Sequence, residues 1–268
     1  MVRLRDGTYV PFVPPRAHAL THLKEGWIRE GLYPALHLVD GGLFEPRHPY
    51  VDWMIHELED NVFLSPECGY GLTNARTAFF DQGGFTLQPN LLDLALVYLR
   101  RDEVPNFLRA FYNSGWASLH PDTACFAEWV PAFGQAGGPL YKTPDECKFI
   151  QWLRSMLVLE DGESLDLGLG VPRAWMADGK RIRMERAATW FGAVDLEIIS
   201  HAAQRVVTAQ VALRPTHPPA ALRLRLRDPE GRPLASAEVN GTATKPIADR
   251  QLIPLPLTTN RWNVTARF

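Results

Sequence analysis

The chain contains 268 residues, of which 46% are apolar and 22% are charged. This composition is typical of folded globular proteins and excludes a disordered chain, while the length allows one large domain or two ordinary ones. The formal net charge of −2 is spread over interspersed acidic and basic residues, so neither nucleic acid nor an anionic membrane is predicted as a partner.

Neither a membrane-spanning helix nor a secretory leader is predicted. No apolar run approaches the roughly 20 residues of a membrane span, and residues 1–15 lack the apolar core of a signal peptide. Cys68, Cys125 and Cys147 do not have the spacing of a zinc site and cannot all pair with one another. We therefore expect a cytoplasmic protein with buried free thiols and no metal site.

The first part of the chain has apolar residues at the three- and four-residue spacing of amphipathic helices. Five or six helices are predicted, of which five have clear starts, near Ala19, Val51, Gln88, Pro105 and Thr143. Glu146 stands three residues after Thr143, and this spacing predicts a capping box at the start of the last helix. The apolar face of that helix is predicted to contain Phe149, Ile150 and Leu153.

The pattern changes at Asp161-Gly162 to the alternation of apolar and polar residues that is typical of strands. Alternating segments, separated by glycine-containing turns, occur at 165–169, 194–198, 206–211 and 222–226. Arg223, Arg225 and Arg227 are interpreted as the solvent face of the last of these strands. The sequence therefore predicts an α+β chain with a helical-hairpin domain over 1–161 and an antiparallel β-sandwich over 162–268.

Carboxylates, amides, aromatic rings and glycines are concentrated between residues 45 and 146. Sugars present hydroxyls to polar groups and C–H faces to aromatic rings, so this mixture is typical of a carbohydrate site. The connection over 118–141 is much longer than an ordinary loop, so it is either functional or contains an element that the pattern does not reveal.

Four motifs in succession resemble the C-terminal half of large bacterial six-hairpin, or (α/α)6-toroid, glycosidases that end in a β-sandwich. They are FFDQGGF (79–85), QPNLLDLALVYLRRD (88–102), CFAEW (125–129) and GGPLYKTPDE (137–146). The resemblance extends over roughly 36–268 and implies a partial helical toroid followed by the sandwich. It further implies hydrolysis of a glycosidic bond in an oligo- or polysaccharide, and we expect no metal or organic cofactor.

Only the later hairpins of such a toroid are present in this sequence, so we expect a fragment or a separate subunit. A partial ring leaves an apolar flank that a missing N-terminal half, a partner subunit or a second copy must cover. We assign that flank to the first two helices, around Leu23, Trp27, Met54 and Ile55.

Glycoside hydrolysis usually requires two carboxyl groups that flank the scissile bond. Glu128 is the first candidate, because the neighbouring Trp129 would disfavour its charged form. Asp81 is the second, since its glycine-rich turn lets a substrate approach the backbone closely, and Glu57 is the alternative second carboxylate. The competing interpretations are a solvated loop glutamate, an Asx turn and an exposed helix charge, respectively.

Five residues are predicted to contact the substrate: Gln82, His120, Trp129, Tyr141 and Lys142. The amide and the amine offer polar contacts, and the three rings would form an aromatic floor, although isolated aromatic residues more often belong to a core.

Two other functions stay open. A non-catalytic carbohydrate-binding or scaffolding subunit would lack a poised acid, and a polysaccharide lyase would use a tyrosine or histidine base. No serine-hydrolase, zinc-peptidase or nucleotide-binding motif occurs.

Overall fold

The computed structural model describes residues 2–3, 9–10, 36–56, 93–120, 122–126, 143–247 and 251–268. The chain divides into two compact units, Met1–Trp152 and Leu153–Phe268. Helices dominate the described part of the first unit, and mostly antiparallel sheets make up the second. The predicted order of helices followed by strands is therefore confirmed. Residue 161, the predicted domain boundary, is the last residue of a strand that pairs with the next strand across a short turn.

Five helices are described: α1 (His37–Asp40), α2 (Pro49–His56), α3 (Leu94–Arg100), α4 (Val104–Ser118) and α5 (Thr143–Leu157). The helix predicted near Ala19 lies outside the described residues. Pro105 is in the first turn of α4, as predicted, because a proline there gives up no helical hydrogen bond. Every residue of α3 from Leu94 to Leu99 is buried, which is typical of a helix with no solvent face.

Three predictions about exposure in and around the helices are wrong. Helix α5 buries Trp152 and Met156, while Ile150 is 62% exposed, because the helix is rotated away from the predicted apolar face. Met54 and Ile55 are buried within the chain and do not form an exposed flank. Cys147 is free, as predicted, but it is exposed.

Two short antiparallel hairpins accompany the helices. β1 (Val2–Arg3) pairs with β2 (Tyr9–Val10), and β3 (Leu119–His120) pairs with β4 (Cys125–Phe126). Because β3 follows α4 directly, the predicted connection over 118–141 begins with a hairpin. Ala124 closes its turn in the left-handed region with φ of 55°.

The second unit contains two sheets that enclose one core. The four-stranded sheet has the order β13 (Leu252–Pro254), β10 (Ala221–Arg225), β6 (Ser164–Leu167) and β5 (Val158–Asp161). The six-stranded sheet has the order β12 (Thr242–Thr244), β11 (Ser236–Val239), β14 (Arg261–Arg267), β9 (Val206–Pro215), β8 (Gly192–His201) and β7 (Arg181–Thr189). All of these pairings are antiparallel except β10 with β6, which is parallel.

The core of this unit follows from the alternation in the sequence. Val194, Leu196 and Ile198 of β8 are at most 1% exposed, while the residues between them are partly exposed. Each strand turns every second side chain to the same face, so the apolar faces of the two sheets meet as in a β-sandwich. The indole of Trp262 is buried there, and its Nε1 donates to the carbonyl of Pro256 at 2.8 Å.

The arginines of β10 do not form a solvent face, which corrects the sequence prediction. Arg225 is only 5% exposed, and Arg223 binds the buried carboxylate of Asp166 through two hydrogen bonds. The carboxylate compensates the guanidinium charge, so that arginine remains away from bulk water.

No helix among the described residues combines the length and the apolarity needed to cross a membrane, and the longest have 15 residues.

Candidate functional site

Seven of the eight predicted site residues lie outside the described residues. They are Glu57, Asp81, Gln82, Glu128, Trp129, Tyr141 and Lys142. The pairing of Glu128 with Asp81 or Glu57 therefore stays a prediction.

His120 is the predicted contact residue that the structure describes. It pairs with Cys125 across the β3–β4 hairpin, and its Nδ1 lies 3.5 Å from Thr123 Oγ1. The backbone carbonyl of His120 accepts a hydrogen bond from the amide of Ala124 at 2.9 Å. Because neighbouring strand residues point to opposite faces, His120 faces away from the side on which Leu119 lies.

Leu119 lines a largely apolar groove of about 600 Å³ within the first unit, which we call the aromatic groove. This volume is in the range of small-molecule sites. Helix α4, the β3–β4 hairpin and the start of α5 supply the described lining residues, among them Tyr112, Phe126, Glu146, Phe149 and Ile150.

Stacked rings form the wall of the aromatic groove. The rings of Phe111 and Phe149 are nearly parallel, with centroids 4.5 Å apart and planes inclined by 9°. Phe126 meets Phe149 edge-on at 4.9 Å, and Tyr112 meets Phe111 edge-on at 5.2 Å. Tyr112 is 37% exposed, so its ring is accessible from solvent at the rim. Each ring is held by another ring, which makes the wall a preformed surface.

Gly115 brings α4 and α5 together beneath this wall. A Cβ at position 115 would lie 2.7 Å from Cε2 of Phe149, closer than carbon atoms normally approach. A side chain at this position would therefore displace Phe149 from its stack with Phe111.

Glu146 joins α5 to the hairpin. Its Oε1 accepts a hydrogen bond from the backbone N–H of Phe126 at 3.3 Å. The sequence analysis assigned this carboxylate to a capping box, but the described contact is this link, and α5 begins at Thr143 itself. In the sequence, Glu128 follows Phe126 by two residues and Lys142 directly precedes Thr143. The described residues on either side of the segment 127–142 therefore belong to elements that line the aromatic groove, the hairpin and α5.

A buried charged cluster forms a second polar feature of the first unit. Asp93 is fully buried in the left-handed conformation, with φ of 54°. Its carboxylate contacts Nδ1 of His37 and lies 2.5 Å from Nζ of Lys148. A buried carboxylate is costly unless it is paired, so these two partners explain its position. The sequence analysis missed this cluster, although a single acid within the apolar run LLDLALV was a signal for it.

The cluster ties three helical segments together, because Lys148 belongs to α5, His37 to α1, and Asp93 precedes α3. No group of three or more metal-ligating side chains occurs within the described ranges.

A polar groove of about 630 Å³ crosses the outer face of the six-stranded sheet in the second unit. Each of its three carboxylates is paired with an arginine: Glu185 with Arg183, Glu197 with Arg181, and Asp195 with Arg214. The pKa of Asp195 is lowered, first by the hydrogen bond from the Arg186 backbone and then by Arg214. Because Asp195 is held ionised in this way it is a poor proton donor, so we do not assign it as the acid of a glycosidase.

No protein-family model matches this chain, and no curated protein matches it in sequence. The assignment of a function therefore depends on the residues and their geometry.

Proposed function

We propose that this chain is part of a glycoside hydrolase that acts on an oligo- or polysaccharide, with a helical domain that forms part of an (α/α) toroid. The observation that carries the proposal is the aromatic groove, whose hairpin wall leads directly to Glu128. The acid that we propose and the described groove are thus neighbours in the chain.

The chemistry of the aromatic groove suits a sugar. The Tyr112 ring at the rim offers an apolar surface to the C–H face of a pyranose. Glu146 uses Oε1 to hold Phe126, and its second oxygen is available to accept a hydrogen bond from a hydroxyl. An apolar surface beside a few fixed polar groups is the usual composition of a small-molecule site.

In this proposal Glu128 is the general acid, and Asp81 or Glu57 is the second carboxylate. Trp129 would keep Glu128 protonated by excluding water from it. A separation of about 5–5.5 Å between the two carboxyl groups would give retention of configuration, and about 6.5–9.5 Å would give inversion. Gln82, Tyr141 and Lys142 would bind substrate hydroxyls beside them.

The aromatic groove also supports a second candidate, a non-catalytic carbohydrate-binding subunit, because stacking on rings requires no acid.

The experiment that separates the hydrolase from the binding subunit measures the release of reducing ends from a panel of neutral and acidic polysaccharides. We expect Glu128→Gln to lower turnover by at least about a hundredfold, the usual contribution of a general acid, with no change in the far-UV circular dichroism spectrum. Glu163→Gln, at an exposed turn, is the matched control. Retained turnover in Glu128→Gln would exclude this residue as the acid.

We further propose that another polypeptide surface covers part of the helical unit, from a missing N-terminal half, a partner subunit or a second copy. The supporting observation is the exposure of large apolar side chains outside the aromatic groove, 68% for Leu43 and 37% for Leu38. Multi-angle light scattering on the purified chain tests for self-association. A stable monomer that binds no dye specific for exposed apolar surface would contradict all three alternatives.

A further inference from the structure

Trp190 lies in the turn between β7 and β8 and is 69% exposed. The next residue, Phe191, is 4% exposed and belongs to the core of the second unit. The turn therefore directs one aromatic side chain inward as an anchor and the adjacent one into solvent. Most of the indole surface is in solvent, so its burial contributes little to folding and the ring is accessible to another molecule.

Hydrogen bonds on both sides fix the backbone of Trp190. Its N–H donates to Oε1 of Glu160 at 2.8 Å. Its carbonyl oxygen accepts from Oγ1 of Thr216 at 3.2 Å and from Nδ1 of His217 at 3.0 Å. Three hydrogen bonds from distant parts of the chain hold this turn, so the position from which the Trp190 side chain extends is fixed.

Gly192 reinforces the turn by allowing a close approach of two strands. Its φ is 124°, and a Cβ there would lie only 2.0 Å from the carbonyl oxygen of Arg214. Glycine is the residue that fits this position. Thr189 closes the other side, because its hydroxyl donates to the carbonyl of Gly192 at 2.6 Å.

The imidazole of His217 stacks on the indole of Trp190. The ring centroids are 4.5 Å apart and the planes are inclined by only 5°. Since one indole face is covered by His217, much of the exposed surface belongs to the opposite face. A rigid ring with one free face loses little conformational entropy when a ligand binds.

Two charged side chains lie beside the turn that carries this ring. Glu160 holds the Trp190 backbone and is 34% exposed at its side chain, and Arg154 lies 3.5 Å from Glu160 with the same exposure. A turn that presents an aromatic ring and carries a carboxylate and a guanidinium offers both kinds of contact that a pyranose makes, through its hydroxyls and its C–H faces.

We propose that Trp190 and His217 form a stacking platform for a sugar ring of a neutral glycan, apart from the aromatic groove. The choice of a glycan rests on the proposed function of the chain, since it is the class of polymer on which that function acts. The platform would hold the polymer while the residues proposed for catalysis act elsewhere on it, and it requires no proton transfer of its own.

The test is affinity electrophoresis of the full chain through gels that contain a soluble β-glucan, xylan or galactomannan. We expect Trp190→Ala to weaken retardation by at least about tenfold in dissociation constant, the effect of losing ~1.4 kcal/mol of stacking. Trp190→Phe should keep part of the affinity because a ring remains. Leu257→Ala, which removes another apolar side chain that is 46% exposed, is the control and should bind like the wild type.

Three results would overturn the platform: equal binding by Trp190→Ala and the wild type, no binding of the wild type to any of the three glycans, or an effect confined to oligomeric state in light scattering. Its failure is distinguishable from failure of the proposed function. Loss of binding in Trp190→Ala, in a chain that releases no reducing ends, would support the platform and reject the hydrolase. Hydrolysis by a chain whose glycan binding is insensitive to Trp190 would support the hydrolase and reject the platform.

Discussion

Arg223 and Asp166 stand opposite each other on the parallel strands β10 and β6 and form a two-bond ion pair. Nε of Arg223 lies 2.5 Å from Oδ1 of Asp166, and Nη2 lies 2.9 Å from Oδ2. The aspartate side chain is 1% exposed and that of the arginine 20%. The planar guanidinium thus satisfies both carboxylate oxygens at once, which is the strongest geometry for such a pair.

We expect Asp166→Asn to lower the free energy of unfolding by about 3 kcal/mol, because it leaves a largely buried guanidinium without its counter-charge. Urea denaturation at neutral pH measures this change. Glu185→Gln is the matched control, since it breaks the pair with Arg183 whose side chains are 59% and 60% exposed. An exposed pair contributes less than about 1 kcal/mol. Equal effects of the two substitutions would show that the Asp166 pair does not stabilise the second unit.

Gly115→Ala tests how tightly α4 and α5 pack. Alanine favours a helix over glycine by about 1 kcal/mol, but a Cβ placed 2.7 Å from the Phe149 ring requires that ring to move. Phe149 is fixed between Phe111 and Phe126, so we expect the steric cost of about 1–3 kcal/mol to prevail. The melting temperature should fall.

Gly41→Ala is the control for this substitution. Gly41 has an ordinary φ of −74°, and the nearest atom to an added Cβ is the His37 carbonyl oxygen at 3.4 Å. We expect this variant to melt within a degree or two of the wild type, which corresponds to a change of less than about 0.5 kcal/mol. A Gly115→Ala variant that melts like Gly41→Ala would mean that Phe149 moves aside freely.

The sequence predicted well those features that depend on neighbouring residues. The alternation around Leu196 predicts β8, since burial of every second residue is a local property. The burial of Asp93 depends instead on His37, 56 positions away, and that of Arg225 involves the carbonyl of Leu169, also 56 positions away. Pairs of this kind leave no periodic signal, so the β10 arginines were assigned to solvent.

The candidate site also depends on contacts between residues that are far apart in the sequence. Glu146 was predicted as a cap from a spacing of three residues, but its described partner is Phe126, 20 residues away, because the hairpin packs on α5. The aromatic groove combines α4, the hairpin and α5, which no local pattern brings together. Of the predicted contact residues the structure describes His120, which lies on the hairpin face opposite Leu119.

Asp195 should make the second unit sensitive to acid. Its pKa is lowered below the ordinary value of 3.8, mainly by the Arg186 backbone N–H and further by Arg214. An aspartate with a lowered pKa in the folded state stabilises that state above the unfolded pKa. The stabilisation is lost as the pH falls through the folded pKa. We expect Asp195→Asn to cost about 1 kcal/mol or less at pH 7, since solvent screens the group.

The corresponding measurement is the free energy of unfolding as a function of pH. As the pH falls below about 5 the wild type should lose stability faster than Asp195→Asn, and the two curves should converge once the pH is below the folded pKa of Asp195. Glu163→Gln, at an exposed turn, is the control, and its stability curve should run parallel to that of the wild type. If the stability curves of Asp195→Asn and the wild type stay parallel below about pH 5, Asp195 is not responsible for the loss of stability in acid.

Glu146 is expected to act as a positioning residue for the segment that contains Glu128. Glu146→Ala removes the acceptor for the Phe126 N–H, and we expect a loss of about 1–2 kcal/mol in stability. If the proposed hydrolysis occurs, kcat/KM should fall at least about tenfold because the acid is misplaced. Glu146→Gln retains an acceptor oxygen and should lose less than about threefold, with an unchanged pH profile. If Glu146→Gln were instead as inactive as Glu146→Ala and lost one limb of the pH profile, Glu146 would itself transfer the proton.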